Sequence, residues 1–74
     1  MIKTLFEQFV QSGGKPVQSE QVISDITVYS YVNIETSTFM QASILTPFNY
    51  SFEHMQDLVN RNMLKILSVK MVEF

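Results

Sequence analysis

The sequence has no cysteine, one histidine and a small complement of charge. Without cysteine, neither disulfides nor cysteine-ligated zinc can brace the fold. His54 alone cannot build a multi-histidine metal site, and no residue pattern asks for a cofactor. Charged residues make up 16% of the chain, against about 25% in a typical globular protein. With a net charge of −2 and no clustered Lys or Arg, the chain lacks the electrostatic footprint of a phosphate-backbone binder. Its acids are scattered, so a nucleic-acid mimic is not indicated either. No apolar run approaches the roughly 20 residues of a membrane span. The opening "MIKTLFEQFV" interrupts its apolar stretch with Glu7 and Gln8 and so has no signal-peptide h-region. A cytoplasmic location is the expectation. The sequon "NYS" at Asn49–Ser51 matters only in a secreted chain.

Seventy-four residues make one domain, and one this small buries only about 60% of the surface its unfolded chain exposes. Small domains commonly add disulfides, a metal or a partner. With the first two removed, association is the remaining support. The apolar share of 46% beside so little charge points the same way.

Ile2, Leu5, Phe6, Phe9 and Val10 recur at helical spacing, which predicts an amphipathic helix over about residues 2–12. Gly13 and Gly14 end it. Residues 12–20, "SGGKPVQSE", read as a flexible linker. From Val22 the period changes to two. Val22, Ile26, Val28, Val32 and Ile34 share one face, and Asp25, Thr27, Tyr29, Tyr31 and Asn33 the other. This predicts one long strand, a short turn at Glu35–Ser37, and a second strand from Thr38 to Thr46 that stops at Pro47. Pairing Ile34 with Thr38 would set every apolar even-numbered residue on one face. Ser51 is an N-cap candidate for a helix carrying Phe52, Met55, Leu58, Val59 and Met63, which an asparagine of "NRN" can terminate. "LKILSVKMVEF" predicts a third strand, parallel to the second across a right-handed crossover or antiparallel to the first. The expected fold is therefore α+β, ordered helix-strand-strand-helix-strand, with two helices on a three-stranded sheet. Met40, Met55, Met63 and Met71 all fall on its expected core faces.

If the even face meets the helices, the opposite face shows Tyr29, Tyr31, Phe39, Leu45, Ile66, Val72 and Phe74, diluted by Gln41, Ser43 and Lys70. Such a patch exceeds what a solitary monomer leaves in water, and tyrosine suits it, with a ring to bury and a hydroxyl to bond. The expected interface residues are Tyr29, Tyr31, Phe39, Lys70 and Phe74, facing a second copy or another protein. Strand propensity or a second core layer would account for the tyrosines without any interface. A platform on which Tyr29 and Tyr31 stack single-stranded nucleic acid is a further option, weakened by the acidic charge. Pairing of an exposed strand edge is another.

Signals for catalysis are thin. Ser51, His54 and Asp25 or Asp57 could be drawn as a triad, but no G-x-S-x-G elbow surrounds any serine. Glu53 and Asp57 share a helix face as a solvated pair rather than as acid and base. "SGGK" lacks the flanking residues of a phosphate loop and follows a helix. The chain reads as a non-enzymatic binder. A small, cysteine-free chain beginning at Met1 and rich in Asn, Gln, Ser and Thr suits a phage or mobile-element accessory protein that modulates a host factor.

Overall fold

The computed structural model describes residues 1–74. The order is α1 (Ile2–Gln11), β1 (Lys15–Ile23), β2 (Ile26–Asn33), β3 (Thr38–Leu45), α2 (Phe52–Asn60) and β4 (Lys65–Glu73). The strands form one antiparallel sheet in the order β1-β2-β3-β4. It is an α+β domain with two helices, and no helix is long and apolar enough to cross a membrane.

The sheet has four strands, not three. Residues 15–23, inside or beside the expected linker, pair with β2. What read as one strand from Val22 to Ile34 is two, folded back at Ser24 and Asp25. Asp25 sits at φ 73°, a left-handed conformation that aspartate tolerates better than most residues. The turn therefore carries no glycine, and the alternation of two strands reads as continuous across it. β4 lies antiparallel to β3, which is neither of the placements expected for it.

Both helices end as their sequences suggest. Gly13 at φ 116° and Asn62 at φ 60° supply the left-handed residue after each helix. The amide of Gly14 reaches Phe9 O at 3.0 Å, and that of Met63 reaches Leu58 O at 2.9 Å. These are the six-to-one bonds of Schellman motifs. The Ser51 hydroxyl accepts from the His54 amide at 3.1 Å and caps α2.

Register decides what the core contains. β2 and β3 pair with Tyr31 opposite Met40, Tyr29 opposite Ala42 and Thr27 opposite Ile44, one residue away from the expected alignment. That slip exchanges the faces of β2. Tyr29 and Tyr31 join Met40, Ala42, Ile44 and Ile66 beneath Phe6 and Phe9 of α1 and Met55 and Val59 of α2. Both helices thus lie on one side of the sheet. In β4 the ladder shifts between Ser68 and Ile66, a bulge that carries Ile66 to the covered side as well. Met40 and Met55 are core residues as expected, whereas Met63 and Met71 are exposed.

Candidate protein-binding face

The tyrosines do not reach water. Tyr29 and Tyr31 are both 0% exposed, so neither offers a ring to a partner chain or a base. Phe52, the first residue of α2, meets Tyr29 edge-on at 5.3 Å and Tyr31 at 5.2 Å, while Phe6 of α1 meets Tyr31 at 5.6 Å. Edge-to-face pairs of this kind add about 0.5–1.5 kcal/mol each beyond area burial. The four rings tie both helices to β2. Each phenol also finds a partner: Tyr29 donates to Tyr50 O at 2.8 Å, and Tyr31 accepts from Gln56 Nε2 at 2.9 Å. Burial pushes both phenol pKa values up by disfavouring the charged form, and these hydrogen bonds offset part of the shift.

The remaining polar groups of the covered side are satisfied in the same way. Thr27 and Thr46 share a 2.7 Å hydroxyl bond, and Asn33 donates to Ser12 O at 3.2 Å. No buried side-chain nitrogen or oxygen lacks a partner. The core is therefore ringed and partly polar, which is why counting aliphatic residues selects the wrong side of β2.

The opposite side of the sheet has no helix over it. The register places four rows of residues there. One end carries Ile23, Ile26, Leu45 and Lys65. Next come Glu20, Val28, Ser43 and Ser68, then Gln18, Ser30, Gln41 and Lys70. The other end carries Lys15, Val32, Phe39 and Val72. The ladder continues one pair further, with the Phe74 amide donating to Ser37 O at 2.8 Å, so Phe74 has the parity of Val72. Ile23, Leu45 and Val72 are 61%, 44% and 46% exposed, and Ile26, Val28, Val32 and Phe39 are half-buried among their neighbours. The apolar ends flank a polar middle, where Gln41 reaches toward Ser30 at 3.4 Å.

Of the residues expected at an interface, Phe39, Lys70 and Phe74 lie on this open face, and Tyr29 and Tyr31 lie on the other. Ile26, Val28 and Val32 were expected in the core and stand on the open face instead, while Ile34 falls in the turn after β2. A usable signal was the clean parity of β3. Met40, Ala42 and Ile44 oppose the mixed set Phe39, Gln41, Ser43 and Leu45, and this marks the covered side of that strand correctly. Comparison with known proteins finds no match: no family model, no curated protein and no solved structure is similar to this chain.

Of the two sheet edges, β1 has Pro16 near its start and two register shifts, features that blunt an edge against further pairing. His54 lies on the exposed side of α2, its ring 4.8 Å from that of Tyr50. The Ser51 hydroxyl is occupied as a helix cap, and the backbone carbonyl of Asp25 accepts from the Thr46 amide at 2.7 Å. Ser51, His54 and Asp57, the other acid the sequence offers, do line one open depression with Glu53, but Asp57 pairs with Arg61 at 3.4 Å and no side-chain hydrogen bond links the imidazole to Ser51 or Asp57. No group of three or more His, Asp or Glu side chains converges as a metal site requires.

Proposed function

We propose that this is a non-enzymatic protein-binding domain whose working surface is the open face of its sheet. The observation that carries the reading is the placement of both helices on one side. It leaves Ile26, Val28, Val32, Phe39, Leu45, Val72 and Phe74 on the other. Antiparallel sheets can face water on one side, but that side is then normally polar. Here apolar residues dominate both of its ends, and contiguous apolar surface of this kind marks an interaction site. The helix layer acts as a rigid backing that holds the strands flat against a partner.

A photo-crosslinking side chain placed at Ser43, on the open face, tests this in the producing cell, with Glu53 on the exposed side of α2 as the control position. Protein adducts from Ser43 and none from Glu53 are expected. Equal labelling from both positions, or none from Ser43, overturns the reading.

A further inference from the structure

We infer that the occupant of the open face is a second copy of this chain, packed sheet against sheet about a two-fold axis that runs parallel to the strands between β2 and β3. The inference rests on the open face being the working surface, and it identifies the partner from area and charge.

Area comes first. Four strands about 4.8 Å apart and eight residues rising about 3.3 Å each make a face of about 500 Å² before side-chain relief is counted. Two such faces bury about 1,000 Å² or more in total, which reaches the threshold for a specific interface. Two antiparallel sheets meeting this way form an ordinary aligned sandwich.

Charge and row order then select the geometry. A two-fold axis along the strands lays β1 of one copy over β4 of the other, and β2 over β3, while each row stays in line with itself. Val32 of one copy then meets Phe39 of the other, and Ile26 meets Leu45. Gln41 comes down over Ser30 of the other copy, which is sunk to 2% exposure beneath its own Gln41, so polar middle lies on polar middle. Glu20, the one acid among the sixteen face positions, comes down over Ser68 of the other copy. Along β4 it is flanked by Lys65 and Lys70, which share the open face with it. All three side chains are exposed, and symmetry makes the arrangement twice over. Lys15 falls over the Val72 end at the rim, where its ammonium stays hydrated. Each copy therefore presents Glu20 and Lys15 on one edge and Lys65 and Lys70 on the other, and Glu20, set between two lysines, is the group that gains from an isologous pair.

The test combines sedimentation of the purified full chain with charge exchange. The wild-type chain is expected at twice its 8.6 kDa mass within the micromolar range. Glu20→Lys alone, and the pair Lys65→Glu/Lys70→Glu alone, should each weaken self-association on the order of tenfold, since two symmetry-related sites turn from attraction to repulsion. Mixing the two variants should restore a dimer containing one of each. Circular dichroism confirms that each variant is folded, and exposed charges on strand edges leave that readout intact. A wild-type chain that stays at 8.6 kDa at high micromolar concentration overturns the inference. So does a dimer indifferent to the exchange, such as one joined edge to edge through β4. Ser43 crosslinks to a different protein, with a monomeric purified chain, would refute the second copy while leaving the open-face reading standing. Absence of any Ser43 crosslink removes both.

Discussion

Replacing Tyr31 by alanine should cost this protein a large share of its stability, although a tyrosine in an alternating strand is ordinarily a tolerant surface position. Tyr31 is fully buried, with Phe6 and Phe52 edge-on to its ring and Gln56 on its hydroxyl. Truncating a buried aromatic side chain costs about 3–5 kcal/mol, and this ring also anchors one residue from each helix. The whole domain, at about 0.05–0.15 kcal/mol per residue, has a margin of about 4–11 kcal/mol. Tyr31→Ala therefore removes about a quarter of the stability at the least and all of it at the most. Tyr31→Phe keeps the ring pairs and loses only the Gln56 bond, for a cost of about 1 kcal/mol. Val32→Thr, next in sequence but on the open face, should cost under about 1 kcal/mol because it keeps a β-branched shape on a half-exposed surface. Urea unfolding followed by circular dichroism, at a concentration low enough to keep the chain dissociated, ranks the three. The expected order of midpoints is Val32→Thr and Tyr31→Phe near wild type, with Tyr31→Ala far below or without a cooperative transition. A Tyr31→Ala midpoint equal to that of Val32→Thr would mean that the faces of β2 are assigned the wrong way round.

Alkaline pH probes the same rings without mutation. Both phenols have raised pKa values in the folded state, so between the unfolded value near 10 and the folded one the unfolded chain binds fewer protons. Stability should be flat below about pH 10 and fall above it, as read from urea midpoints across pH, and Tyr31→Phe should shrink the fall. Thr27→Val leaves the buried Thr46 hydroxyl without its 2.7 Å partner and should cost about 1–3 kcal/mol. Thr27→Val/Thr46→Val together should recover most of that loss in thermal melts. Gly14→Ala would set a Cβ 2.5 Å from the Phe9 ring and 2.8 Å from its carbonyl oxygen. Its expected cost of about 1–3 kcal/mol should appear as a lowered denaturation midpoint.

Much of this architecture was legible in the residues, and the failures share a cause. Helical stripes, glycine and asparagine stops and the Ser51 cap are local signals, and α1, α2, β3 and β4 fall within a residue or two of where those signals put them. The losses occurred where a turn was made without glycine. Asp25 at φ 73° and Ser37 at φ 52° close the two hairpins around β2 with residues that also sit comfortably in loops or strand ends. One turn was therefore missed, and the register across the other was free to slip. β1 was hidden for a related reason. "KPVQSEQVI" is almost wholly exposed, so its burial cannot impose a period, and its pairing with β2 is a matter of backbone hydrogen bonds. The open face was legible as a consequence of two helices and one sheet. Which residues occupy it was not, because phenol and hydroxyl groups enter a core only when distant partners such as Tyr50, Gln56 and Thr46 are waiting, and spacing cannot reveal them.

The one-sided cover also joins stability to association. A compact protein of 8.6 kDa should expose about 4,700 Å², and this one exposes 4766 Å². The fold thus has ordinary compactness even though only 14 of 74 residues are buried. Nothing is missing from the covered side, where no buried side-chain nitrogen or oxygen lacks a partner. The deficit is that a single layer of core carries the whole domain. A ligand that binds only the folded form adds about 2.7 kcal/mol when present at a hundred times its dissociation constant, which is a quarter or more of the margin available here. Occupying the open face should therefore raise the melting temperature visibly. Substitutions there, such as Phe39→Thr, should matter more to the melt at high protein concentration than at low. Core substitutions such as Tyr31→Phe should lower it by a similar amount at both. A melting temperature independent of concentration and of every candidate partner would leave the exposed Val, Ile and Phe residues as mere strand formers.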